Sequence, residues 1–173
     1  MKKFLFAGGF AALLIAASLL LTQSSTVYSH CEIPCGIYGD LTRITLLYED
    51  IATVEKSMMQ ITALSKEDPV NVNQIIRWVN NKEQHCDKIQ HVVTQYFMTQ
   101  RIKPATAADG ANYEKYVAQL TTLHGMLIHA MKAKQTTDLA NIEQLRAGVK
   151  RLSTLYFAEA DLEHLKQHHP EGK

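Results

Sequence analysis

Apolar residues recur every three or four positions along four stretches of this chain, and polar residues fill the positions between them. This spacing places the apolar side chains of each stretch along one face of an α-helix. It predicts helices over about residues 41–64, 69–103, 112–134 and 138–165. In the third helix the predicted buried face comprises Tyr113, Tyr116, Val117, Leu120, Leu123, Leu127, Ile128 and Met131.

The residues between these stretches have the properties of helix ends. Asp40 and Asp68 precede the first two helices, where a carboxylate can accept hydrogen bonds from free backbone N–H groups. Pro69 suits a first helical turn, and Pro104 requires the second helix to end before it. No stretch has the alternating pattern of a strand. The sequence therefore predicts an all-α fold, an up-down-up-down four-helix bundle over residues 40–173.

The first 29 residues have the pattern of a cleaved secretory signal peptide. Lys2 and Lys3 are followed by an apolar run over 4–21 and a polar segment that ends at Ser29. Val27 and Ser29 are small enough for the positions that signal peptidase reads, so cleavage after Ser29 would make His30 the first residue. This predicts an exported protein, periplasmic or extracellular. The alternative is an uncleaved membrane anchor, since the run approaches spanning length.

Charge and cysteine content narrow the function further. The formal net charge is +1, so the chain has no basic surface of the kind that binds nucleic acid. Its three cysteines are an odd number, so disulfides cannot pair all of them. Cys86 lies on the apolar face of the second helix, where we predict a buried, inert thiol.

Residues 30–39, which we call the hook, place several metal donors close together. Cleavage after Ser29 frees the α-amine of His30, whose pKa lies near 8 in the absence of a metal. That amine, the backbone nitrogen and thiolate of Cys31, the thiolate of Cys35 and the His30 imidazole can surround one ion. Two thiolates and two nitrogens in a plane favour Ni(II) or Cu(II). The alternative is a Cys31–Cys35 disulfide in a non-catalytic secreted bundle that carries a metal or binds a partner.

The motif His-Cys-x-x-Pro-Cys-Gly-x-Tyr, residues 30–38, resembles the nickel-binding hook of nickel-containing superoxide dismutases. Lys82-Glu83-Gln84 and Tyr96-Phe97 resemble positions in the second helix of that family. The resemblance implies dismutation of superoxide to O2 and H2O2 by Ni(II)/Ni(III) cycling. It also implies a homohexamer of four-helix bundles with one nickel ion per subunit.

The resemblance assigns the nickel ligands residue by residue. His30 would provide the amine and an axial imidazole, Cys31 the amide nitrogen and one thiolate, and Cys35 the second thiolate. Pro34 would fix the shape of the hook. The predicted metal site therefore lies entirely at the processed N-terminus.

The resemblance also implies residues around the metal. Tyr38 would stand over the open face of the site and admit only small anions, with Tyr96 near it. The family pattern places an Arg where this chain has His85, and a Glu at Thr45 or Leu46; together they hold the axial imidazole. We hypothesise that His85 takes the place of that Arg as a hydrogen-bond partner.

Overall fold

The computed structural model describes residues 39–159 and Leu162. These residues form four α-helices, with bounds that follow in chain order: α1 Asp40–Leu64, α2 Val72–His91, α3 Ala111–Gln135 and α4 Ala140–Tyr156. A π-helical segment, Val92–Arg101, continues directly from α2, and a single 3-10 turn, Ala107–Asp109, precedes α3. No strand occurs among the described residues.

The helices pack as an up-down-up-down bundle. Each helix packs against the next one in the chain, and α4 returns to pack against α1, while diagonal pairs make few contacts. The predicted fold class is confirmed. The core lies along the bundle axis and includes Ile44, Leu47, Ile51, Val54, Ile89, Val93, Phe97, Leu123, Ile142, Leu145, Val149 and Leu152. Within the described part of the chain, no helix is both long and apolar enough to span a membrane.

Two helix starts differ from the prediction because other residues cap them. Gly39, not Asp40, is the N-cap of α1, and Asp40 is its first helical residue. Helix α2 begins at Val72 instead of near Asp68, because the side chain of Asn71 accepts a hydrogen bond from the backbone N–H of Gln74 at 3.2 Å. The Asp68–Pro69 pair therefore lies in the connection between the helices.

The prediction for α3 was wrong at three positions of its apolar face. Tyr113, Val117 and Met131 are 38–40% exposed. Apolar residues occupy two sides of this helix, and the bundle covers only the side that carries Leu123 and Met126, both fully or almost fully buried. The second side of α3 faces outward on the single chain.

The predicted signal peptide, residues 1–29, and hook residues 30–38 lie outside the described residues. The cleavage after Ser29 and the arrangement of the hook therefore remain predictions. Gly39 is the last hook residue and the first described one, so the structure shows where the hook joins the bundle.

Candidate metal centre and its surroundings

Four polar side chains meet at the end of the bundle where the hook joins it. The Asp40 carboxylate accepts hydrogen bonds from the hydroxyl groups of Tyr96 and of Tyr156, the latter at 2.7 Å. Arg101 Nε lies 2.9 Å from Asp40 Oδ1, and Arg101 Nη2 donates to the Tyr96 hydroxyl at 2.9 Å. We call these four residues the Asp40 cluster. It joins the first residue of α1 to the π-helical segment and to the last residue of α4.

Burial and hydrogen bonding keep both phenols of the cluster protonated. The pKa of Tyr96 is raised above its usual value, first by burial and then by the hydrogen bond to Asp40. The same two causes raise the pKa of Tyr156. The Arg43 and Arg101 guanidinium groups lie 5.2 Å and 4.9 Å from the centre of the Tyr96 ring, where its electron-rich face attracts cations. Both tyrosines therefore act as hydrogen-bond donors to Asp40 at neutral pH.

The π-helical winding brings Tyr96 and Arg101 together. In an α-helix, residues five apart lie about 140° apart around the axis and do not face each other. The i→i+5 hydrogen bonding of a π-helix stacks residue i+5 above residue i instead. The side chains of Thr99 and Gln100 follow the same spacing and donate to the carbonyls of Thr94 and Gln95. The change from α-helical to π-helical spacing therefore places Arg101 beside Tyr96, where it also contacts Asp40.

His85 has a carboxylate partner that the sequence analysis did not identify. Its Nδ1 lies 2.6 Å from Asp50 Oδ1, between α2 and α1. Both side chains are mostly buried, with 19% and 11% of their surface exposed. Because an ionised carboxylate only accepts hydrogen bonds, Asp50 fixes the proton of His85 on Nδ1. The other ring nitrogen, Nε2, is then the atom that can bond to a further group.

The structure therefore places the two described site residues in separate groups. Tyr96 belongs to the Asp40 cluster, whereas His85 pairs with Asp50. Asp40 and Asp50 are ten residues apart on α1, which corresponds to about 15 Å along the helix axis. Tyr38, Pro34, His30, Cys31 and Cys35 lie outside the described residues.

Sequence reasoning missed four of the residues in these groups, and only one of them had a local signal. Asp50 lies within the apolar stripe of α1, next to Ile51 and one turn from Leu47 and Val54. This position in the sequence indicates a carboxylate that faces the interior of the bundle. No comparable pattern identifies Asp40, Arg101 or Tyr156 as partners. Their meeting depends on how α1, the π-helical segment and α4 pack together.

A groove whose charged side chains are mostly positive opens next to the Asp40 cluster. Arg101 and Tyr156 form part of its wall, and Lys103 and Lys115 line it together with a single acidic residue, Asp109. Its volume is about 490 Å³. An excess of positive charge beside the end of the bundle that carries the hook favours the approach of small anions.

The described residues do not themselves form a metal site. Among residues 39–159 and Leu162, no three histidine, cysteine or acidic side chains come together in a way that could hold a metal ion. The predicted donors are His30, Cys31 and Cys35, all in the hook. Two thiolates and two nitrogen donors in a plane favour Ni(II) or Cu(II).

The comparisons with known proteins identify the family of the chain. No curated protein and no solved structure matches the chain. The family model described as nickel-containing superoxide dismutase matches residues 25–160, which include the hook and all four helices. The chain is therefore a member of the nickel-containing superoxide dismutase family, an oxidoreductase with a nickel cofactor.

Proposed function

We propose that this protein disproportionates superoxide at a nickel ion bound by its processed N-terminus. The observation that carries the proposal is the run His30–Tyr38, which lies inside the stretch that matches the family and directly follows the predicted signal-peptidase site. Nickel, when bound, supplies the one-electron Ni(II)/Ni(III) couple, which thiolate and amide nitrogen donors bring within reach of superoxide.

The reaction needs a small anion to enter and two protons to be delivered. One superoxide gives up an electron and leaves as O2; a second takes up that electron and two protons and leaves as H2O2. In our proposal the His30 amine and imidazole, together with the thiolates of Cys31 and Cys35, bind the metal. Pro34 fixes the loop between the two thiolates.

The remaining proposed residues would control access to the metal and hold the His30 imidazole. Tyr38 restricts the open face to small anions, and Tyr96 supports that end of the bundle through its bond to Asp40. His85 would hold the His30 imidazole through its own Nε2, while Asp50 fixes the proton of His85 on Nδ1. A metal-bound histidine commonly depends on such a hydrogen-bonded partner for its orientation.

We further propose that the protein works after export, in a periplasm or outside the cell, and as a homohexamer. Export explains how His30 obtains a free amine, because signal peptidase creates the new N-terminus. The outward-facing apolar side of α3, with Tyr113, Val117 and Met131, supports contact between copies of the chain.

Mass and metal analysis of the exported protein tests the proposal directly. We expect a chain that begins at His30 and carries one nickel ion per subunit. The rival bundle with a Cys31–Cys35 disulfide would carry no nickel at the hook and would be two protons lighter. Finding that second species as the purified, stable form would overturn the proposal.

A one-residue insertion tests the amine ligand. An Ala placed between Ser29 and His30, and retained after cleavage, converts the His30 amine into an amide and removes one donor. We expect this variant to lose superoxide dismutase activity while its helical circular dichroism stays at the wild-type level. Full activity in the variant would contradict metal binding through the His30 amine.

A further inference from the structure

We propose that Asp40 anchors the hook, so that the Asp40 cluster positions the nickel ligands although it does not touch the metal. The inference rests on the proposed function, because it concerns the same N-terminal site. It assigns a positioning role to Asp40, Tyr156 and Arg101.

The hydrogen bonds of Asp40 show why this residue can act as an anchor. An acidic residue in the first helical turn usually interacts with the free N–H groups of its own helix. Asp40 instead uses both carboxylate oxygens for side chains from other elements: Oδ1 for Tyr96 and Arg101, and Oδ2 for Tyr156. The N-cap, Gly39, has no side chain that could fix the start of α1. Asp40 therefore ties the start of α1 to the π-helical segment and to the end of α4.

The position of Asp40 limits where the hook can go. Cys35 precedes Asp40 by five residues, so a fully extended chain lets Cys35 reach at most about 17 Å from it. Metal ligands must be held within about 0.5 Å of their working geometry. In the proposal, the fixed Asp40 holds the end of the hook that joins the bundle in place before any metal binds.

The charges in the cluster make this anchor sensitive to single substitutions. Arg101 contacts both the Asp40 carboxylate and the Tyr96 hydroxyl, and the hydrogen bond to Tyr96 is the largest cause of its raised pKa. Replacing Asp40 by Asn keeps the size of the side chain but removes the charge that Arg101 faces. It also replaces one of the two carboxylate oxygens, which accept hydrogen bonds, by an NH2 group, which only donates them.

The test compares Asp40→Asn with a matched control on the same helix. We expect apoprotein that begins at His30 to bind nickel roughly 10-fold more weakly in the variant, by isothermal titration calorimetry. We also expect a changed Ni(III) electron paramagnetic resonance spectrum. The control is Glu55→Gln, which removes the carboxylate that pairs with Arg146 at 2.5 Å, four turns further along α1. Its nickel affinity and spectrum should equal those of the wild type.

A second variant keeps the proposal testable if Asp40→Asn does not fold. Tyr156→Phe removes one hydrogen bond to Asp40 and leaves the ring and the helices in place. We expect a smaller shift of nickel affinity and spectrum in the same direction. Wild-type affinity and spectrum in either folded variant would overturn the anchoring role.

The outcome also separates this inference from the proposed function. If the wild-type protein itself binds no nickel at His30, the proposed function fails and the inference fails with it. If the wild type binds nickel and Asp40→Asn binds it equally well with the same spectrum, only the anchoring role is refuted.

Discussion

His85 is the residue on which the axial ligand depends in our proposal. Its Nδ1 is held by Asp50 at 2.6 Å, so the ring has a fixed orientation and a fixed proton. The structure thus supplies a carboxylate from α1, as the family pattern does, although from Asp50 and not from Thr45 or Leu46. In our proposal, His85 and Asp50 would together hold the His30 imidazole in place of the Arg and Glu of the family pattern.

We predict that His85→Ala lowers turnover by roughly 10- to 100-fold, because the axial imidazole loses its partner. The Ni(III) electron paramagnetic resonance spectrum should change with it. His129→Ala is the matched control, since His129 is also partly buried and bonded, with Nδ1 3.2 Å from Asn141 Oδ1 in another part of the bundle. Unchanged spectrum and turnover in His85→Ala would refute the role of His85.

Cys86 is a fully buried thiol in the core, as the sequence analysis predicted. Burial, followed by the negative charge of Glu83, raises its pKa from 9.0 to about 12. In the folded protein the Cys86 thiol stays protonated up to about pH 12, whereas in the unfolded chain the same thiol ionises above about pH 9. Unfolding is therefore favoured by thiol ionisation at alkaline pH.

We predict that Cys86 makes the protein less stable between pH 9 and about 12. In this window the folded state keeps a proton that the unfolded state has lost, so the free energy of unfolding falls by about 1.4 kcal/mol per pH unit from this group. Urea unfolding of wild type and Cys86→Ala at several pH values measures the effect. The variant should show a shallower decline; parallel profiles for the two proteins would contradict the raised pKa.

At the scale of elements, two helical glycines differ in what surrounds them. A Cβ atom at Gly148 in α4 would lie 2.5 Å from Met126 Cγ in α3, which is far closer than carbon atoms can approach. A Cβ atom at Gly125 in α3 would meet nothing within 4 Å. Gly148 therefore permits the close packing of α3 and α4, whereas Gly125 has no such role within one chain.

We predict opposite effects for alanine at these two positions. Gly148→Ala should lower the free energy of unfolding by about 1–3 kcal/mol, because the core must shift to accept the methyl group. Gly125→Ala should raise it by about 0.5–1 kcal/mol, since alanine favours the helix. Thermal unfolding of the two variants beside the wild type checks both signs. Equal changes would show that packing between α3 and α4 is looser than the structure indicates.

At the scale of the whole molecule, the outward side of α3 has the spacing of a helix–helix seam. Its exposed residues are spaced by four and then seven positions: Tyr113, Val117, His124 and Met131. Leu120 and Leu127, which lie between them, are half-buried against the core. Such spacing suits packing against another helix. In the proposed homohexamer, an antiparallel pair of α3 helices would bring Glu114 near the start of one helix close to Lys132 near the end of the other.

We predict that Val117→Glu reduces the mass of the proposed homohexamer in solution, because a charge in the contact between copies would be buried without a partner. Sedimentation velocity at matched protein concentration measures the change. Ile76→Glu is the matched control: it places the same charge at an exposed β-branched residue of α2, 54% exposed against 38% for Val117. Dissociation by Ile76→Glu alone would locate the contact on α2 and contradict the assignment to α3.

The sequence by itself determined the four helices and the metal-binding motif, because both are local. Apolar spacing reports the face of a helix, and the hook donors are contiguous residues. Only the tertiary structure showed that Asp40 and Tyr156, 116 residues apart, share a hydrogen bond, that Asp50 holds His85, and that α3 has an outward apolar side. The physical reason is that partners on different helices meet according to helix rotation, register and winding. The packing of the entire core sets these quantities, and the π-helical segment changes the period that sequence reasoning assumes.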